Sequence, residues 1–202
     1  MPHSAQKKSP KGFTLIEIII VVLIVGLLGL FALNSMIRSQ DQIKFIGATK
    51  DTAALISEVR SLALASKTIT YNDKQEFPNK YGACITSNQI TIFADHPDST
   101  LNSYDTTGDD PDVLLKETYT LADEYEYITT PARSGEPCQL TLLYEPTNAK
   151  FSVKPPSTGD DPFDEKQYAM IEVKEIEGDR SKIIVLFRVS GNPEIFNTTD
   201  EI

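Results

Sequence analysis

Residues 11–33 read KGFTLIEIIIVVLIVGLLGLFAL, and from 13 to 33 only Thr14 and Glu17 are polar. As a helix those 21 residues span about 31 Å, close to the hydrocarbon thickness of a bilayer. Lys7, Lys8 and Lys11 precede the run in a stretch without acids, and the first positive charges after it are Arg38 and Lys44. That asymmetry predicts an N-terminus in the cytoplasm and an exported body. A secretory signal would have an apolar core of about 7–15 residues and a small-x-small cleavage site, which Leu33-Asn34-Ser35-Met36 does not supply. A plain signal anchor explains length and orientation but not Glu17. An ionisable group in a membrane helix costs roughly 2–3 kcal/mol near the centre, less near an end, and usually has a partner.

Lys11-Gly12-Phe13-Thr14-Leu15-Ile16-Glu17 resembles the class III leader of type IV prepilins and type II secretion pseudopilins. The resemblance implies cleavage by prepilin peptidase after Gly12 and N-methylation of the new first residue, Phe13. It also implies that Glu17, fifth in the mature chain, is the assembly carboxylate, pairing with the N-terminal amine of a neighbouring subunit. In a low-dielectric helix bundle such a pair attracts far more strongly than in water, although desolvation offsets much of the gain. The implied partners are other pilin or pseudopilin subunits, prepilin peptidase, an inner-membrane assembly platform and membrane lipid. Many major pilins of this family carry a proline near the membrane exit of the helix; Leu33-Asn34-Ser35-Met36 has none, which favours a minor subunit.

Helical periodicity continues past the membrane segment. Phe45, Ala48, Thr52, Leu55, Ile56, Val59, Leu62, Ala63 and Ser66 recur at spacings of three and four and define one mostly apolar face. No proline lies between Pro10 and Pro78. The pattern predicts one helix over about residues 14–65 whose second half lies against a head; a break near Gly47 or Asn34-Ser35 is the alternative. The expected division is a cleaved leader (1–12), a transmembrane and assembly helix (13–66) and an extracytoplasmic head (67–202).

After Thr70 short β-rich runs alternate with turn chemistry. Runs 81–87 and 89–95 predict a hairpin at Ser87-Asn88, 138–144 and 150–154 another around Pro146-Thr147-Asn148, and 168–176 and 182–189 a third at Glu177-Gly178-Asp179. Weaker strands are expected at 115–121 and 125–129. In the third hairpin Met170, Glu172, Lys174 and Ile176 alternate with Ile171, Val173 and Glu175. The expected fold class is α+β, a long N-terminal helix packed on a mostly antiparallel sheet. Residues 59–67, Tyr81-Gly82-Ala83-Cys84-Ile85, 90–95 and the closing 183–195 are similar to the head of H-type pseudopilins and minor pilins.

Cys84 and Cys138, the only cysteines, would both lie outside the cytoplasm. A disulfide between them would close a loop of about 55 residues and stabilise by roughly 4 kcal/mol; two buried free thiols are the other reading. Thr-Gly-Asp-Asp-Pro occurs twice, at 107–111 and 158–162, each time in an acidic stretch. Such loops can hold Ca²⁺, but neither has the Asp-x-Asp-x-Asp-Gly register of an EF-hand, so solvated loops and no cofactor are expected. A formal net charge of -10 argues against nucleic acid. The two histidines, His3 in the leader and His96 beside Pro97, have no nucleophile on a strained turn near them in sequence. The reading is therefore a non-enzymatic filament subunit, with a membrane-anchored extracytoplasmic binding module as the alternative and an anchored hydrolase third.

Overall fold

A computed structural model describes residues 13–71, 73–95, 112–116, 118–130, 138–153, 168–187 and 189–197. Helix α1 runs without a break from Leu15 to Leu64, so neither Gly47 nor Asn34-Ser35 interrupts it. The chain divides into two units at Lys44 and Phe45, and the second half of α1 belongs to the unit that contains the strands.

Twelve strands follow among the described residues: β1 (Ile69–Tyr71), β2 (Lys74–Glu76), β3 (Tyr81–Ile85), β4 (Gln89–Ala94), β5 (Val113–Leu114), β6 (Tyr119–Thr120), β7 (Tyr125–Thr130), β8 (Leu140–Tyr144), β9 (Phe151–Val153), β10 (Tyr168–Glu175), β11 (Ser181–Phe187) and β12 (Pro193–Phe196). All pairings are antiparallel. The single sheet expected from the sequence is instead divided: a six-stranded sheet ordered β5-β4-β3-β8-β9 with β6 also on β4, a four-stranded sheet ordered β12-β11-β10-β7, and the small hairpin β1-β2. Three predicted hairpins are present with shorter strands. The predicted strand over 115–121 is not: Leu115 N–H bonds to Ile92 carbonyl, the chain then leaves β4, and Lys116 reaches α1 to pair with Glu58 at 2.7 Å. What remains is the two short strands β5 and β6, which rejoin the edge of β4 separately.

One core joins α1 to both larger sheets. Phe45, Ala48, Thr52, Ile56, Val59 and Ala63 are buried on the helix, as its periodicity predicts, with Leu55 and Leu62 half-buried beside them. Opposite them lie Tyr81, Ala83 and Ile85 of β3, Leu140, Leu142 and Tyr144 of β8, and Ala169, Ile171 and Val173 of β10. The alternation read in β10 is therefore the core face of a half-covered strand. At one end of this core the Phe45 and Tyr125 rings lie 5.7 Å apart and the Arg180 guanidinium sits 5.8 Å over Phe45. Arg180 also grips both carboxylate oxygens of Glu175, which holds that carboxyl below its ordinary range.

Buried phenols supply the polar fastenings. Thr52 Oγ1 donates or accepts a 2.8 Å bond with Tyr127 Oη, and lies 2.8 Å from the Ala48 carbonyl. Tyr144 Oη donates to the Gly191 carbonyl at 2.8 Å, and Tyr81 Oη to the Lys67 carbonyl. Burial pushes the Tyr127 phenol well above its usual value, against a smaller lowering by its Thr52 bond, and burial does the same to Tyr144 against the pull of Arg60. Because the folded values are raised, the stabilisation is complete below the unfolded tyrosine value of about 10 and is lost as pH climbs from there towards the folded values. Urea midpoints of the purified chain should therefore fall steeply above pH of about 10. Tyr127→Phe should cost about 1 kcal/mol at neutral pH and flatten that alkaline fall. An equally steep fall in the variant would rule Tyr127 out as a source.

Candidate functional site

The membrane-length segment begins at Thr14, which closes the start of α1. Glu17 N–H bonds to the Thr14 carbonyl at 3.1 Å and lies 3.4 Å from Thr14 Oγ1, and Ile18 N–H reaches the same carbonyl at 3.3 Å. Thr14 is thus the N-cap, and Glu17 is the acid of the first turn, where the helix dipole favours negative charge. Thr14 is a functional residue that sequence reading passes over. Its signal was available, since Thr-x-x-Glu before an apolar run is the capping-box pattern.

Leu15–Leu33 is long and apolar enough to cross a membrane, and none of it is buried within the chain. Phe13 is 78% exposed and Phe31 73%, so this helix presents apolar side chains to its surroundings on every side. Such a surface has no place in water and demands either lipid or other helices. A side chain added at Gly26 or Gly29 would meet open space, so neither glycine is required by contacts within the chain. Glu17 is exposed among these side chains, one helical turn after Phe13. Gly12 lies outside the described residues.

The remaining singled-out residues are dispersed. Cys84 of β3 and Cys138, just before β8, are joined by a disulfide, with Cα atoms 5.3 Å apart. Gln139 N–H bonds to the Ile85 carbonyl at 2.8 Å, which ties the chain just after Cys138 to the end of β3. His3, His96 and both Thr-Gly-Asp-Asp-Pro repeats lie outside the described residues. Among the described residues no group of three or more His, Cys, Asp or Glu side chains is placed to hold a metal ion. One shallow groove runs between α1 and the β5–β6 segment, lined by Asp51, Leu55, Glu58, Lys116 and Tyr119. The Glu58–Lys116 ion pair spans it.

Residues 7–33 match the family model described as the prokaryotic N-terminal methylation motif. The match covers the leader and the membrane-length helix and leaves the strand-bearing unit outside it. No curated protein and no solved structure matches the chain. The chain thus carries a type IV pilin-like prepilin leader, the kind that prepilin peptidase processes, and that leader marks a structural class of protein. Its apolar helix is a membrane anchor.

Proposed function

We propose that this chain is a structural subunit, of the minor type, of a type IV pilus or a type II secretion-type pseudopilus. Prepilin peptidase cuts between Gly12 and Phe13 and methylates the Phe13 amine. The subunit then waits in the cytoplasmic membrane with its head outside, and it enters a filament through α1. The observation that carries this reading is the matched leader followed at once by Leu15–Leu33, a helix with an apolar surface all round. A soluble chain would bury such a helix, and a permanent anchor needs no carboxylate there beyond what the start of its own helix favours. In the filament Glu17 meets the cationic amine of a neighbour, so the charge that is costly in lipid becomes a register mark between helices. The absence of proline at Leu33-Asn34-Ser35-Met36, and a helix that runs through these positions, favour the minor type. The similarity of the head to H-type pseudopilins and minor pilins points the same way.

Intact-mass and N-terminal analysis of the chain from its native membrane tests the proposal. The expected product starts at Phe13 and carries one added methyl group. Gly12→Ala should leave the leader attached in most molecules. A full-length, unmethylated chain would overturn the proposal in favour of a permanently anchored binding module.

A further inference from the structure

We infer that the Cys84–Cys138 bond is made before the head closes, by exchange with a protein disulfide oxidant on the outer side of the membrane, so that oxidation precedes closure of the head and assembly. The sulfurs lie on the face of the six-stranded sheet that turns away from α1. Residues paired directly across a ladder share a face, so Gly82 and Cys84 of β3, Phe93 of β4 and Leu143 of β8 form this second layer. Cys84, Cys138, Phe93 and Leu143 form their own apolar cluster, separate from the core under α1, and no member is more than 3% exposed. The far end of the Phe93 ring lies against the Gly82 backbone: a Cβ there would stand 2.3 Å from Phe93 Cζ. Nothing the size of a protein oxidant reaches either sulfur in this state.

Thiol–disulfide exchange needs an open line to the attacking sulfur. One thiolate of the chain attacks the oxidant's disulfide and expels one of its sulfurs as a thiolate. The second thiolate of the chain then attacks the mixed disulfide, forms Cys84–Cys138 and releases the oxidant as a dithiol. Two electrons pass to the oxidant, and the protons lost by the two chain thiols are matched by those the oxidant's thiols take up. Both attacks require the second layer to be open. The closed loop also carries β4, β5, β6 and β7, and β7 is an edge strand of the four-stranded sheet. The bond therefore ties strands of both sheets into one covalent ring before they dock.

The inference takes the exported head from the proposed function, whereas its test reads the order of chemistry and folding alone, so the two fail separately. The full chain is reduced and unfolded in denaturant, then diluted into detergent with a CxxC protein disulfide oxidant present either from the start or only after refolding. Free thiols are trapped with a maleimide-polymer, and folding is followed by limited proteolysis. Early oxidant should give complete bond formation, while late oxidant should act at least about 100-fold more slowly, at the pace of local opening. A reduced chain that stays protease-sensitive until oxidised supports the same order. Equally fast bond formation in a reduced chain that is already protease-resistant overturns it.

Discussion

Glu17→Ala is expected to leave the chain in the membrane, cleaved and methylated at normal levels, while its recovery in sheared filaments or pseudopili drops by at least about tenfold. The carboxylate is not needed to insert the helix: Leu15–Leu33 is apolar throughout apart from it, and removing an ionisable group makes insertion more favourable. Nor does it hold the helix start alone, because Thr14 supplies the cap through its carbonyl and hydroxyl. Under the proposed assembly role, what Ala removes is the partner for a neighbour's amine in a low-dielectric bundle, and it would leave that cation buried and unpaired, the costly side of such a deletion. Glu17→Gln separates charge from capping. The amide keeps an acceptor oxygen at the first turn and loses the charge, so it should rescue a capping defect and fail to rescue a charge defect. Filament recovery at the unsubstituted level in the Ala variant would remove Glu17 from assembly. Recovery in Gln alone would reassign it to the helix start.

How far the fold could be read depended on which faces are covered. The buried face of α1 from Phe45 to Ala63 showed in the sequence because its other side is polar, and β10 showed for the same reason. Strands β3 and β8 are buried on both faces, so they carry no alternation and gave no sign that the strands divide between two sheets. Pro193 hid β12: proline reads as a loop, yet at the first position of an edge strand it costs no ladder bond. The β1-β2 hairpin pairs Ile69-Thr70-Tyr71 with Lys74-Gln75-Glu76, three residues each, too short for either to show a period. At the candidate site the leader was legible because its chemistry is local in sequence. The cysteine pairing was expected only as the better of two readings, because the approach of Cys138 to Cys84 depends on β3 meeting β8 across 54 residues of chain, which no local pattern encodes.

Gly191→Ala is expected to destabilise the head by about 2–4 kcal/mol, the largest single-atom effect anticipated outside the membrane segment. Gly191 has φ of +59°, the left-handed region, and its N–H bonds to the Phe187 carbonyl at 2.8 Å to turn the chain from β11 into β12. An L-residue there costs roughly 1–2 kcal/mol by backbone sterics alone. The new methyl would also stand 2.7 Å from Phe151 Cβ and 2.9 Å from Tyr144 Cε1. Phe151 Cβ is tied to the β9 backbone, and the Tyr144 ring is fully buried against Phe151 at 5.2 Å, so neither can swing aside cheaply. Relieving the clash would draw Gly191 away from the Tyr144 hydroxyl that bonds its carbonyl. That contact links a turn of the four-stranded sheet to strands of the six-stranded one, so the damage should spread to β12 and not stop at the turn. Tyr144→Phe isolates the hydrogen bond and should cost only about 1 kcal/mol. Both are measured as urea midpoints of the full chain in detergent, followed by tyrosine near-ultraviolet dichroism, since the chain has no tryptophan. A Gly191→Ala midpoint equal to that of the unsubstituted chain would mean that the turn relaxes freely and that the left-handed backbone there carries no strain for an L-residue.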